Sequence, residues 1–218
     1  MEYGEKIQKL FLGRPLTDIQ VLVFTPISPA FHKLFPLLQC KTSVSDGFFL
    51  NAEFVMDGGK GVLICGPTGA SSQDVMCLFH DVDYYFFGLA GGLNDSLAIG
   101  DIVTVDTVFT ESGNAVTVRP IGGFPRMKLA FSPCFLGPAA AAFQEKARVA
   151  GADVVDMESA FCAEAAGGCA GRFSELLVIT DLPGKTEAWD CTGRDLAAID
   201  LGMDHALHTL AGILKHGA

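Results

Sequence analysis

Three stretches of this chain end apolar runs in residues that can do chemistry: Phe87-Gly88-Leu89-Ala90-Gly91-Gly92-Leu93, Val154-Val155-Asp156-Met157-Glu158-Ser159 and Leu177-Val178-Ile179-Thr180-Asp181. In open α/β sheets ligands bind at the carboxyl ends of strands, so three such ends can meet around one small molecule. The glycine run lets a ligand approach main-chain N–H groups, which suits an anion or a sugar hydroxyl; its plainer reading is a tight turn. Glu158 opens a helical segment, where free N–H groups and the dipole favour negative charge. A carboxylate there can accept two hydrogen bonds from a vicinal diol, or it can serve stability alone. Asp181 directly follows a buried strand, an expensive place for an unpaired charge. It either caps the next turn or, with a pKa raised by partial burial, acts as an acid toward a leaving-group nitrogen.

The elements that must position these residues follow from the hydrophobic pattern. Val21 to Phe24 reads as a buried strand running into a Pro-containing loop and a short helix up to Pro36. Phe48 to Met56 and Gly61 to Cys65 are strands separated by the turn signal Asp57-Gly58-Gly59-Lys60. A helix from Ser71 or Ser72 to His80 precedes strands at Tyr84 to Gly88 and Asp101 to Val108. In the second half, Lys128 to Phe131 is a short strand and Pro138 to Ala150 a helix with Pro at its start. Val154-Val155 is extended, and a buried small-residue helix opens at Met157 and stops at the glycines 167, 168 and 171. Leu176 to Ile179 is the last buried strand, and Leu196 to Leu214 has helical spacing. Strands alternating with helices predict an α/β fold, a three-layer α/β/α sandwich around a mixed sheet, in one domain spanning residues 1–218.

Other signals fail their own requirements. Gly184-Lys185-Thr186 lacks the P-loop glycine five residues earlier, where Ile179 stands. Gly88 to Gly92 is not a dinucleotide fingerprint, and no Gly-x-Ser-x-Gly elbow occurs. His205 and His208 lie one helical turn apart without an indicated third ligand, so no metal and no cofactor is expected. The seven cysteines are scattered without a Cys-x-x-Cys pair and read as buried free thiols. Of 218 residues 50% are apolar and 18% charged, and the formal charge is −10, the wrong sign for a nucleic-acid or anionic-membrane partner. The longest apolar stretch falls short of a membrane span and the first residues carry no signal core, so the expected location is the cytoplasm.

Together the segments Gly88-Leu89-Ala90-Gly91-Gly92-Leu93…Gly100-Asp101-Ile102-Val103, Val155-Asp156-Met157-Glu158 and Thr180-Asp181 resemble the nucleoside phosphorylase and nucleosidase superfamily, which includes purine and uridine phosphorylases and methylthioadenosine nucleosidase. The resemblance runs from about Val21 to the final helix. It implies a cleft at the strand ends and scission of an N-glycosidic bond through an oxocarbenium-like sugar. By position Met157 and Glu158 hold the ribose, Asp181 protonates the departing base, and Asp156, Thr180 and Phe135 lie beside the base, Phe135 either stacking on it or packing in the core. Thr25, Thr68, Ala90 and Gly91 fall on the side of the acceptor, water or phosphate.

The sequence departs from the pattern on that side. Thr25-Pro26-Ile27-Ser28-Pro29-Ala30 lacks the glutamate that activates water in the nucleosidases, and Leu177 stands where they place an arginine. Neither this loop nor Gly66 to Ser72 offers a Lys or Arg for phosphate, which tilts the expectation toward hydrolysis, with phosphorolysis or nucleoside binding without turnover as the alternatives. The resemblance also implies a homo-oligomer, with part of the apolar surface in subunit contacts.

Overall fold

The computed structural model describes residues 3–41, 43–44, 46–133 and 137–216. The elements run in the order α1 (Tyr3–Leu12), β1 (Ile19–Thr25), α2 (Ser28–Leu37), β2 (Ser43–Val44), β3 (Leu50–Met56), β4 (Gly59–Cys65), α3 (Ser72–Met76) and β5 (Asp83–Gly92). They continue with β6 (Ile102–Phe109), β7 (Ala115–Thr117), β8 (Arg126–Phe131), α4 (Gly137–Val149), β9 (Val154–Asp156), α5 (Ser159–Gly168), β10 (Arg172–Asp181) and α6 (Gly193–His216).

All ten strands join one mixed sheet. β5 is its axis, because it pairs in parallel with both β1 and β10 and its last two residues turn to pair antiparallel with β9. The path β5, β10, β6, β8, β9 therefore closes on itself, while β1, β4, β3 and β2 continue from β5 as an open sheet. The central strands are apolar on both faces, as strands covered by helices on both sides must be. Leu22, Phe24, Tyr84, Phe86, Leu177 and Ile179 face the layer of α1, α3 and α5. Val21, Val23, Tyr85, Phe87, Leu176 and Val178 face α2 and α6, where Phe31, Leu34, Leu207 and Leu210 meet them. The alternation is the period-two signature of strand geometry.

Several expected boundaries move for local reasons. The helix expected from Ser71 or Ser72 to His80 ends at Met76, and Asp81 takes a left-handed φ of 56° that turns the chain into β5. The glycine segment 88–92 is not a turn but the second half of β5. α5 begins at Ser159 rather than Met157. α6 starts earlier than its apolar spacing because Thr192 and Asp195 form a reciprocal cap: Thr192 N and Oγ1 donate to Asp195 Oδ2 at 2.8 and 2.7 Å, and Asp195 N donates to Thr192 Oγ1 at 3.3 Å. α1 is an additional element, anchored by Leu12 in the core and by Gln8, which donates to Leu78 O at 2.9 Å and accepts from Leu16 N at 2.8 Å.

Candidate active site

Parallel pairing of β1, β4, β5 and β10 puts their carboxyl ends on one edge, and a cleft of about 510 Å³ opens there. Its floor is Leu89, Ala90 and Gly91 of β5 together with Thr180 and Asp181 of β10. One wall is Asp156, the last residue of β9, with Met157 and Glu158 between β9 and α5. Thr68 closes a side, and Pro183, Ala188 and Cys191 with Leu196 and Ile199 of α6 form an apolar opposite wall.

A bulge aims the acid of β10. The register against β5 shifts between Ile179 and Asp181, so Asp181 rather than Thr180 lies opposite Gly91, and such a bulge turns a side chain toward the end of the sheet. Thr180 Oγ1 donates to Asp181 Oδ1 at 2.9 Å. A side chain at position 91 would put its Cβ 3.2 Å from Asp181 Oδ2 and 3.0 Å from Pro183 Cγ, so glycine is what leaves the carboxyl its space. Burial pushes the Asp181 pKa up, with the Thr180 hydroxyl opposing and Glu187 reinforcing.

Glu158 is 8% exposed. Its Oε1 accepts a 2.6 Å hydrogen bond from the N–H of Gly69, the first residue of a 3₁₀ turn (Gly69–Ser71). That bond ties the wall after β9 to the loop after β4. Burial raises the Glu158 pKa, against the pull of main-chain N–H groups at Gly69 and Met157. The side chain therefore does not cap α5; it reaches away from the helix to Gly69.

Asp156 has its carboxylate turned back to α5. It accepts from Ser159 N at 3.2 and 3.1 Å and from the Ser159 hydroxyl. Burial and the neighbouring Glu158 charge push it up to about 7. Ser159 Oγ also lies 2.5 Å from Oε2 of Glu175, a fully buried residue in mid β10 whose pKa burial and Asp156 drive well upward.

The structure thus brings Thr68, Ala90, Gly91, Asp156, Met157, Glu158, Thr180 and Asp181 to one cleft. Thr25 lies beneath it, fully buried, with Oγ1 accepting from Ile27 N at 3.1 Å, so that Pro26 and Ile27 face the space instead. Phe135 lies outside the described residues. Gln144 and the buried Glu175 were not singled out by the sequence reading, and Ser159, the end of the stretch from Val154, bonds Glu175. A single acid in the apolar run Phe173 to Ile179 was the available signal for Glu175. Among the described residues that line the cleft, none is Lys, Arg or His.

No family model and no curated protein sequence matches the chain. Solved structures do. The 5′-methylthioadenosine/S-adenosylhomocysteine nucleosidase of Campylobacter jejuni superposes with a TM-score of 0.74 at 15% identity, over 89% of this chain and 98% of that one. The fold is that of the nucleosidases. The futalosine hydrolase of Helicobacter pylori aligns with a TM-score of 0.69 at 14% identity, over 90% of this chain and 95% of its own. A Helicobacter pylori nucleosidase mutant with 5′-methylthioadenosine in its active site gives 0.67 at 14% identity, over 91% and 97%. The nucleosidase fold matches the sequence expectation of helices on both sides of a mixed sheet.

Proposed function

We propose that this protein hydrolyses the N-glycosidic bond of a purine-type nucleoside. The observation that carries the reading is the bulged end of β10, which presents a half-buried Asp181 with a raised pKa at the floor of a cleft whose wall holds Glu158. A carboxyl held neutral there donates a proton to the departing base nitrogen. Glu158 accepts from the sugar hydroxyls, and the carboxyls around the sugar favour the positive charge that develops on it as the bond breaks. Support also comes from the nucleosidases and the futalosine hydrolase that share the fold.

Hydrolysis is favoured over phosphorolysis because no Lys, Arg or His stands among the described lining residues to receive a phosphate dianion. The six cysteines among the described residues are unpaired, which fits a reducing, cytoplasmic setting. The apolar side chains Phe48 and Val55, 71% and 65% exposed, support pairing with a second copy, which sedimentation measures. The deciding experiment is incubation with a panel of ribonucleosides, with and without inorganic phosphate. Free base and free sugar in both buffers support hydrolysis. Sugar 1-phosphate formed only with phosphate identifies phosphorolysis, and binding without base release identifies a nucleoside-binding protein.

A further inference from the structure

β10 carries one acid where its pattern asks for an apolar side chain. Phe173, Leu177 and Ile179 are buried in the cluster beneath α5, and Glu175 occupies the same row with no exposed surface. The first residue of α5 covers it: Ser159 Oγ is 2.5 Å from Glu175 Oε2 and bonds Asp156 Oδ2 on its other side. Asp156 in turn borders the cleft, next to Met157 and Glu158. Among the described residues the other groups facing this cluster are the Glu158 carboxyl and the Cys162 thiol on α5, itself beside the Ser72 hydroxyl of α3, and none is a cation. On the β6 side the Thr104 hydroxyl donates to the main-chain oxygen of Glu175 at 2.9 Å, leaving the acid itself to Ser159.

Counting hydrogens fixes the order. A serine hydroxyl has one hydrogen, so it donates to one neighbour and accepts from the other. Two buried carboxyls on one hydroxyl, without a cation, do not both ionise. Asp156 also receives the Ser159 N–H at 3.1 and 3.2 Å, whereas Glu175 Oε1 has no hydrogen-bond partner among the described residues. The better-solvated carboxylate is Asp156, so the proton stays on Glu175.

We propose that Glu175 is a positioning residue of the cleft: as a neutral acid it donates to Ser159, whose hydroxyl donates to Asp156, and this chain holds Asp156 and the segment carrying Glu158 in place. The role rests on the nucleosidase reading of the cleft. It also has a diagnostic sign. A buried acid with an unpartnered oxygen costs stability relative to an apolar side chain, so Glu175 is expected to weaken the fold while it serves the site.

The test uses the full chain and three measurements. Difference infrared spectra between mildly and strongly alkaline pH, where Asp156 is already ionised, recorded with Asp181→Asn in every sample so that its carboxyl is silent, report the carbonyl band of a buried neutral carboxylic acid, expected with Glu175 present and missing in Glu175→Gln. This arm needs no substrate. In base release, Glu175→Gln is expected to stay within about 3-fold of the parent at neutral pH, because its amide N–H donates to Ser159, yet the alkaline decline of kcat/KM is expected to drop from two deprotonations to the single one of Asp181, because an amide does not ionise. Glu175→Leu is expected to melt no lower than the parent while kcat/KM falls by about 10-fold or more. In the Asp181→Asn samples, no band with Glu175 present or a band retained in Glu175→Gln overturns the proposal, and so does a leucine variant with parental rate and pH profile. Should the leucine variant fail to fold, the band and the glutamine pH profile decide. A parent that releases no base from any nucleoside overturns the cleft reading and the positioning role with it, and the band still reports separately whether Glu175 holds the proton.

Discussion

Adjacent glycines on β5 offer a sharp probe of the site, because successive residues of a strand face opposite sides. Gly91→Ala places a methyl 3.0 Å from Pro183 Cγ, 3.2 Å from Asp181 Oδ2 and 3.3 Å from Val155 Cγ2. An unstrained carbon contact is about 3.5–4.0 Å, so the Asp181 carboxyl has to retreat by a few tenths of an ångström. Catalytic groups tolerate about 0.5 Å of displacement and lose ~10²-fold for 1 Å, which puts the expected fall in kcat near 10-fold. Overpacking costs about 1–3 kcal/mol, and the open cleft on this side places Gly91→Ala near the lower end, a melting point about 2–4 °C down. Gly92→Ala is the control. Its methyl meets Leu182 Cδ2 at 3.0 Å, Ile179 Cγ2 at 3.2 Å and Leu97 Cβ at 3.4 Å, all apolar and away from the acid. Its melting point falls by a similar amount while base release per folded molecule stays at the parental rate. The assay is base release under saturating nucleoside, normalised to folded protein by circular dichroism. Parental turnover in Gly91→Ala, or equal slowing in both variants, refutes the claim that the bare edge at 91 sets the position of Asp181.

Asp181→Asn keeps nucleoside binding and slows base release by roughly 10²–10⁴-fold. Because burial raises the Asp181 pKa, parental turnover declines as pH rises through that raised value, and an identical decline in the asparagine variant assigns the limb to another group. Glu158→Gln weakens ribonucleosides more than their 2′-deoxy analogues, read as separate KM values; an equal loss for both removes the diol contact. Asp156 binds its proton more tightly folded than unfolded, so its contribution makes stability fall as pH climbs from the ordinary 3.8 to about 7. Urea midpoints across that range flatten in Asp156→Asn, and an unchanged slope excludes Asp156 from the balance.

The strand ends that build the cleft were legible because each couples an apolar run to a polar terminus: Val155 to Asp156, Ile179 to Thr180 and Asp181. What stayed hidden depends on neighbours in space. Gly88 to Gly92 reads locally as a turn, yet β9 and β10 draw it into the sheet and the side chain of Asp181 takes the room beside Gly91. Thr25 has the right type and place in the chain, but its hydroxyl is spent on Ile27 N. α1 lacks a strong start signal and owes its place to Gln8 and Leu12, contacts that join it to residues far along the chain. Glu175 is one letter in an apolar run, and only the arrival of Ser159 from α5 gives it a meaning.

The floor and the apolar wall of the cleft differ in what would be needed to alter them. Asp181 and Gly91 sit on the two strands at the heart of the sheet, whereas the segment from Pro183 to Cys191 is held by a short bridge between Leu182 and Thr186 and by Arg148, which donates to Pro183 O at 2.6 Å. Exposed connections tolerate replacement, and buried central strands do not. On the proposed reading, redrafting this stretch of surface exchanges one nucleoside preference for another, while the buried floor that carries Asp181 stays as it is.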